Sequence, residues 1–367
     1  MLSLVRKEYI NMNIYHVMRM DTSKVKSLIK DTRDKKDKMR YSFAYGLKIV
    51  STVLFCMIVV LLFTALFGPE NSIVGVITVI AVMVFEKADL GIKSSHAALT
   101  LIASFLILAI GPQLASLAAP GAGFIINLFC ILTLLILSCH NIIMSNHSTI
   151  ILGYLLLMGT EVTGDAYINR ISGLLFGGII VAAVFYHKHY KITYPRTFRD
   201  LFKEFNPGTL RTQWQLKMAL GISLSMFLAE MLHFARPIWV GIACMSLLQP
   251  FTHDLTFRAC RRAPFVIIGS IAFGIIYYFI PDTLIPYIGI FGGLVLGLCS
   301  SYKWQSAFNC FGAISIIVPQ FGLLNAIMLR IVNNVFGTLF SIVFDKIFTF
   351  LINLITVIKI KVLANAT

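Results

Sequence analysis

Long apolar runs separated by short polar segments dominate the chain, and their lengths predict helices that cross a membrane. A spanning helix needs roughly 20 apolar residues, and fewer where neighbouring helices shield it. Twelve such helices are predicted, in two sets of six. The first set covers 43–67, 72–86, 95–112, 121–140, 146–160 and 168–187, and the second covers 213–233, 237–250, 262–280, 284–301, 304–320 and 328–350.

The two sets divide the chain into five segments. A basic N-terminal segment (1–42) precedes a first six-helix repeat (43–187), and a basic linker (188–212) leads to a second six-helix repeat (213–350) and a tail (351–367). Because each set holds an even number of helices, both sets start on the same side of the membrane. The predicted fold class is an all-α polytopic membrane protein of about twelve transmembrane helices, arranged as two parallel six-helix repeats.

The composition agrees with a helical membrane protein. Hydrophobic residues make up 58% of the chain and charged residues only 13%, and soluble domains of this size are less apolar. The formal net charge of +15 is concentrated in the N-terminal segment, the linker and a few short loops. This distribution indicates cytoplasmic loops in contact with lipid headgroups, and it argues against nucleic-acid binding.

The alternation of basic and non-basic loops predicts the orientation in the membrane. Among the loops on the non-basic side, Arg236 is the one exception. Both termini are therefore expected in the cytoplasm, and the chain is expected to be a multi-pass protein of the bacterial cytoplasmic (inner) membrane. On the cytoplasmic side, the loop from Cys139 to His147 departs from the pattern because it carries no Lys or Arg. The charged stretch from Lys24 to Arg40 predicts a helix at the membrane interface.

No pattern for catalysis or cofactor binding occurs in the chain. The seven cysteines form no CxxC pair, which argues against a metal site or a disulfide framework. Phosphate-binding glycine loops, HExxH pairs and nucleophile elbows do not occur. We therefore expect no cofactor, no metal and no enzymatic activity.

An arginine near the start of the last apolar run is repeated in both sets. The pattern Arg-Ile, four residues, Phe-Gly occurs as Arg170 to Gly177 and again, about 160 residues later, as Arg330 to Gly337. An arginine is costly to hold in lipid, and its planar guanidinium offers a fork of donors to a carboxylate. The repeat favours a two-fold anion site, although such arginines can also extend to headgroups or pair with Asp165. The glycines are expected to permit close helix packing.

Polar side chains in and near the predicted helices extend this candidate site. The proposed substrate-binding residues are Arg170, Arg330, Asn169, Asn334, Gln249, Gln305 and Asn309. A basic cytoplasmic vestibule, expected to concentrate anions, consists of Arg258, Arg261, Arg262, Lys93 and His96. The candidates for proton coupling are Glu86, His253, Asp254, Glu230 and Asp345. Hydrogen bonding between helices is an alternative account of the Asn and Gln residues.

Several short motifs resemble a known family of transporters. The motifs are Pro237-Ile238-Trp239-Val240-Gly241, Leu248-Gln249-Pro250, the basic segment Arg258 to Arg262, and Arg330 followed by Gly337-Thr338. Together they resemble the aromatic acid exporter or fusaric acid resistance (FUSC) superfamily, and distantly the plant aluminium-activated malate transporters. The resemblance covers most of the chain and is better in the second half.

The resemblance implies a membrane transporter that exports organic anions, aromatic or amphipathic carboxylates, and draws on the proton gradient. Two other functions stay open. A passive organic-anion channel is favoured by the shortage of buried carboxylates, and a non-transporting membrane scaffold or subunit of an envelope complex comes from another class. The expected partners are a small organic anion and the lipid bilayer, without nucleic acid. A homo-oligomer or a periplasmic or envelope partner is compatible with the sequence.

Overall fold

The computed structural model describes residues 14–20, 22–144, 146–299 and 301–366, which form helices and connections but no strand. Two short helices come first, α1 (Ile14–Arg19) and α2 (Thr22–Asp31). The first six bundle helices are α3 (Lys35–Phe67), α4 (Ser72–Phe85), α5 (Ser94–Leu117), α6 (Pro120–Ser138), α7 (His147–Met158) and α8 (Asp165–His189). After α9 (Phe198–Lys203) in the linker, the second six are α10 (Leu210–Met231), α11 (Pro237–Leu247), α12 (Thr252–Phe279), α13 (Ile288–Leu298), α14 (Tyr302–Phe321) and α15 (Leu323–Ala366).

The predicted all-helical fold is confirmed, and a helix occurs at each of the twelve predicted positions. Within the described residues, six helices are long and apolar enough to cross a membrane: α3, α5, α6, α8, α12 and α15. The apolar helices α4, α7, α11 and α13 are shorter. Among the described residues, half of the twelve helices therefore combine the length and the apolarity that a membrane crossing requires.

Several helix boundaries differ from those expected from the apolar runs. α12 begins at Thr252 rather than near residue 262, so the basic segment Arg258 to Arg262 lies within a helix. α3 begins at Lys35 rather than near residue 43, because the Asp34 side chain accepts a hydrogen bond from the Lys36 N–H, 3.1 Å away, and caps the helix. α15 continues through Ala366, past the expected end near residue 350. Residues 1–13 of the predicted N-terminal segment and Thr367 of the predicted tail lie outside the described residues.

Six helix pairs recur in the two sets of six. α4 and α5 pack against α8, α7 packs against α5 and α6, and α3 packs against α4 and α8. In the second set, α11 and α12 pack against α15, α14 packs against α12 and α13, and α10 packs against α11 and α15. The two sets meet where α6 contacts α10, α7 contacts α11, and α3 contacts α13. We call the end of the bundle at which α5, α10 and α12 begin the linker end, and the opposite end the far end.

The buried core is made largely of aromatic and aliphatic side chains, supported by a few hydrogen bonds between helices. Trp214 of α10 donates from its indole nitrogen to the Leu248 carbonyl oxygen at 2.9 Å. Tyr154 of α7 donates its hydroxyl to Asn127 of α6, also at 2.9 Å. Because lipid tails are as apolar as these side chains, close packing and such bonds hold the helices together.

The N-terminal helices connect the two sets at the linker end. Val17 and Val25 are buried against Tyr41 at the start of α3. The Lys26 ammonium donates to the Leu298 carbonyl oxygen at 2.6 Å, at the C-terminal end of α13. A cation at this position satisfies a free carbonyl and complements the negative end of the helix dipole.

The repeated glycines lie at close contacts between two helices. A Cβ atom on Gly337 would lie 2.8 Å from the Ala243 Cβ and 2.9 Å from the Val240 carbonyl oxygen. On Gly177, a Cβ would meet the Thr78 hydroxyl. The close contacts agree with the expectation that these glycines serve helix packing, and at Gly337 the obstacle is backbone that cannot rotate away.

Gly337→Ala is expected to destabilise the bundle by ~1–3 kcal/mol, because overpacking against backbone forces helices apart. The measurement is thermal unfolding in detergent. Gly312→Ala in α14 is the matched control: a Cβ atom added there would have no heavy atom within 4 Å, so the better helix propensity of alanine should leave stability unchanged or raise it. Equal midpoints for both variants would contradict the packing argument.

Candidate functional site

Arg170 holds several helix ends together at the far end of the bundle. Only 3% of its surface is exposed. Its Nε donates to Asn71 Oδ1 and its Nη2 to the Glu70 carbonyl oxygen, both at 3.0 Å, and its Nη1 donates to the Thr160 carbonyl oxygen. The Asn71 amide in turn donates to the Phe67 carbonyl at 2.9 Å. Arg170 thus joins the α3–α4 connection and the end of α7 to α8.

A second arginine covers the same end of α7. Arg236, at the start of α11, donates to the Gly159 carbonyl oxygen at 3.0 Å and to Gln320 Oε1 at 2.5 Å. Its guanidinium carbon also lies 5.5 Å from the centre of the Phe321 ring. Arg236, the exception to the loop-charge pattern, therefore binds oxygen atoms of both helix sets.

Arg330 occupies a different environment from Arg170. It is 2% exposed, and its guanidinium carbon lies 5.0 Å from the centre of the Trp239 ring. Its Nε is buried without a hydrogen-bond partner among the described residues. The neighbouring Arg262 guanidinium adds a like charge to the same region. The repeated arginine is therefore bonded to protein oxygens in the first set. In the second set it faces a tryptophan ring and the Cys310 thiol, and its Nε has no partner among the described residues.

Arg262 lies inside the second set and is joined to α15. Its Nη1 donates to Ser246 Oγ at 2.9 Å and to the Tyr302 hydroxyl at 3.3 Å, and its Nη2 donates to Asn334 Oδ1 at 3.0 Å. Asn334 donates from its amide nitrogen to the Arg330 carbonyl at 2.9 Å. On α15, Arg330 and the residue that Arg262 contacts, Asn334, are therefore one helical turn apart. The Nε of Arg262, like that of Arg330, is buried without a partner among the described residues.

Ser246 connects two further predicted residues to this group. Its carbonyl oxygen accepts hydrogen bonds from Arg258 Nη1 and from Gln249 Nε2, each at 3.2 Å. The Arg258 guanidinium lies 5.0 Å from the centre of the Tyr302 ring. We call Arg258, Arg262, Arg330, Asn334, Ser246 and Tyr302 the arginine cluster.

The arginine cluster carries positive charge without a carboxylate partner. In the described part of the chain, no ion pair joins Arg258, Arg262 or Arg330 to an Asp or Glu. Burying a charge is costly unless it is paired, and the cost is highest away from water. A group of buried guanidiniums with two unused donors is therefore suited to bind an anion.

Besides Arg170, three predicted substrate-binding residues lie away from the arginine cluster. Asn169 is exposed on α8, and Gln305 and Asn309 are exposed on α14. Gln305 donates to the Cys299 carbonyl oxygen at 3.2 Å. The structure links Gln249 to Asn334 only through Ser246 and Arg262, with Arg330 one helical turn from Asn334 on α15. It leaves Asn169, Gln305 and Asn309 on the outer surface of the bundle.

The predicted vestibule is divided between two places. Lys93 and His96 contact the linker: the Lys93 N–H donates to the Arg196 carbonyl at 2.9 Å, and His96 Nδ1 accepts from the Phe198 N–H at 3.2 Å. Arg261 lies over the Phe257 ring, 3.6 Å from its centre. Arg258 and Arg262 instead turn into the second set, so these basic residues do not face one another across a shared opening.

Among the proton-coupling candidates, Asp345 is the buried carboxylate. Its Oδ1 lies 2.7 Å from Lys217 Nζ, and both side chains are buried. Glu86 forms an exposed ion pair with Lys188 at 2.8 Å, and Glu230 is exposed. Asp254 is half-buried near the start of α12. The side chain of His253 lies outside the described residues.

The predicted site residues did not include Ser246, Tyr302 or Asn333. Asn333 is fully buried, and its Oδ1 has no partner among the described residues. It stands beside Asn334 in the sequence, so an Asn-Asn pair within an apolar run was a usable signal. Ser246 and Tyr302 lie at helix ends, where a small hydroxyl or a tyrosine offers no distinguishing signal.

Charged residues of the linker form a network at the linker end. Glu204 accepts from Arg196 Nε at 2.8 Å and from Arg211 Nη2 at 3.2 Å. Arg211 Nη1 donates to His140 Nδ1 at 2.9 Å. Burial lowers the pKa of His140 below its usual 6.5, and the nearby Arg211 charge lowers it further while Glu204 opposes the change. The network attaches the linker to the loop after α6.

Comparison with known proteins gives a family match, which lies within the second set of helices. Residues 224–344 match the family model described as fusaric acid resistance protein-like. The match covers about a third of the chain and confirms the predicted resemblance to the FUSC superfamily over these residues. Together with the six long apolar helices, it identifies an integral membrane protein. Comparisons with curated proteins and with solved structures found no match.

The contrast between the repeated arginines predicts different costs of replacement. Arg170→Gln removes the donors to Asn71, Glu70 and Thr160, and should destabilise the protein by roughly 2–4 kcal/mol. Arg330→Gln removes a poorly compensated charge and should cost less, or stabilise the fold. The measurement is thermal unfolding in detergent, with exposed Arg199→Gln as the control. A larger loss for Arg330→Gln would contradict the contrast.

The linker network predicts a dependence of stability on pH. Because the pKa of His140 is lower in the folded protein, the unfolded chain binds a proton more readily. The contribution of this histidine is therefore present above its usual pKa and is lost as pH falls through its lowered value. His140→Gln should lose less thermal stability than the wild type between pH about 7.5 and about 5.5. Identical losses would contradict this assignment.

Proposed function

We propose that the protein exports organic anions, aromatic or amphipathic carboxylates, across the bacterial cytoplasmic membrane, and that the arginine cluster binds the carboxylate. The observation that carries the proposal is the pair of buried guanidiniums, Arg262 and Arg330, which lack a carboxylate partner in the described residues. A bound carboxylate would balance one of their two charges and accept a hydrogen bond from an Nε–H group. The family match supports a transporter of the efflux type.

This site replaces the two-fold site expected from the repeated arginines. The proposal keeps Arg330, Asn334 and Gln249 and assigns Arg170 to structural support. Arg262, which the sequence assigned to the vestibule, is proposed here as the second arginine of the binding site. The Trp239 ring beside Arg330 offers an aromatic face next to the charge, which suits an aromatic carboxylate.

We propose the predicted two-repeat layout as the framework of this site. It is supported by the helix pairs common to both sets and by the matching positions of Gly177 and Gly337 at close helix contacts. The division into 1–42, 43–187, 188–212, 213–350 and 351–367 remains part of this proposal. With twelve membrane helices, the linker end and both termini would face the cytoplasm.

Proton coupling is assigned to Asp345 and its partner Lys217. A proton on Asp345 would remove the charge that holds Lys217, and a buried ion pair that loses one charge is strongly destabilised. Protonation would therefore favour another arrangement of α10 and α15, which hold these residues. Since α15 also carries Arg330 and Asn334, movement of this helix would reach the arginine cluster.

A passive organic-anion channel is the second candidate. Among the described residues Asp345 is the buried carboxylate, and it is already paired. A channel needs no titrating group, so this shortage favours it. A non-transporting scaffold or envelope-complex subunit makes no use of the arginine cluster. A homo-oligomer or an envelope partner is compatible with each of the three.

The proposal is tested by uptake of labelled 4-hydroxybenzoate into proteoliposomes, with and without an imposed pH gradient. Arg262→Gln/Arg330→Gln should lower the flux roughly tenfold to a hundredfold, as expected for losing charge-assisted hydrogen bonds. Lys93→Gln, an exposed basic residue at the linker end, is the control and should retain the flux.

Asp345→Asn separates the two transport mechanisms. An exporter coupled through Asp345 should lose its response to the pH gradient in this variant while still binding the anion. Flux that ignores the gradient in the wild type would support the channel. Undiminished flux in the double arginine variant would overturn the binding site, and no flux for a panel of carboxylates would favour the scaffold.

A further inference from the structure

A cavity of about 410 Å³ opens at the far end of the second set, between the α10–α11 connection and α15. Its polar lining consists of His233, Asn325 and Asn333, and much of the rest is apolar, including Phe234 and Val332. No Asp, Glu, Lys or Arg belongs to this lining within the described residues. The volume is that of a small-molecule site.

Asn333 supplies an acceptor whose direction is set by its own helix. Its amide nitrogen donates to the Leu329 carbonyl oxygen at 2.7 Å, so the amide oxygen must point the other way. That oxygen is buried and has no partner among the described residues. An unpaired buried acceptor is unfavourable, and a ligand that donates to it would relieve this penalty.

The entrance of the cavity holds a residue in an uncommon conformation. His233 has φ 59°, and in the described part of the chain it is the non-glycine residue in the left-handed region. Residues that carry a side chain seldom adopt this conformation. The turn is held by hydrogen bonds from the His233 and Phe234 N–H groups to the Glu230 and Ala229 carbonyl oxygens, each at 2.9 Å. These bonds keep the cavity edge in place beside α15.

We propose that this cavity binds a compact, uncharged molecule with an apolar body and a hydroxyl group that donates to Asn333 Oδ1. Asn333 Oδ1 accepts the hydroxyl hydrogen bond, and the apolar side chains of the lining contact the apolar part of the ligand. The described lining holds no charged residue, which disfavours an ion. A hydroxyl can come from an alcohol, a phenol or a protonated carboxylic acid. The proposal is independent of the arginine cluster, because neither Arg262 nor Arg330 lines the cavity.

Phenol and anisole form a matched pair of probes, because anisole replaces the donating hydroxyl with a methyl ether. Binding is measured by calorimetry on the full chain in lipid nanodiscs, with empty nanodiscs subtracted for partition into lipid. Phenol should bind roughly three- to tenfold more tightly than anisole, the ratio that one net hydrogen bond provides. Benzoic acid, added below and above its own pKa, tests the protonated acid as a second source of the hydroxyl.

Asn333→Leu removes the acceptor at similar volume and should abolish the preference for phenol. Asn309→Leu, at an exposed position on α14, is the matched control and should keep it. If Asn333→Leu does not fold, Val332→Phe fills the cavity without touching the acceptor and should weaken both probes together.

Equal binding of phenol and anisole to the wild type would overturn the proposal and indicate a space for lipid chains. A preference for phenol that persists in Asn333→Leu, or binding unaffected by Val332→Phe, would also overturn it. Arg330→Gln distinguishes this site from the transport proposal, because it should lower anion flux and leave phenol binding unchanged.

Discussion

Buried guanidinium groups must be satisfied where water is scarce, and this requirement organises both halves of the bundle. In such surroundings an arginine must find oxygen acceptors, another charge or a ligand. Arg170 finds three protein oxygens and becomes a joint between helix ends. Arg330 has a tryptophan face and an Nε without a partner among the described residues. The same residue type is thus structural in one half and available for binding in the other.

One sequence difference between the halves removes a partner that Arg170 has and Arg330 lacks. Aligning Val74-Gly75 with Val240-Gly241 places Asn71 opposite Pro237. Asn71 provides the side-chain oxygen that Arg170 uses, whereas proline has no side-chain acceptor. Arg330 therefore lacks this partner, and the hydroxyls and amide around Arg262 occupy the interior of the second half instead. The family match, which covers residues 224–344, falls on this less saturated half.

Several of the basic residues that give the chain its excess positive charge form ion pairs or hydrogen bonds within the protein. In the linker, Arg196 and Arg211 are bonded to Glu204, and Lys26 covers the end of α13. Arg236 covers the end of α7. These four basic residues therefore also join helix ends or attach the linker. The arginine cluster differs because its buried charge has no such acidic partner among the described residues.

The sequence predicted the class of protein and the positions of the twelve helices, because the length of an apolar run reflects the thickness of the bilayer. It also predicted the close contact at Gly337, because small residues let helices approach each other in lipid. Arg330 and Asn334 were also predicted. Which polar residues meet depended instead on the packing of the helices. Gln305 and Asn309 lie on an exposed face of α14, and a helix apolar on all sides has no periodicity that would identify that face. Arg262 contacts Asn334, which is 72 residues away in the sequence. This contact arises because the packing of α12 against α15 brings the two residues together.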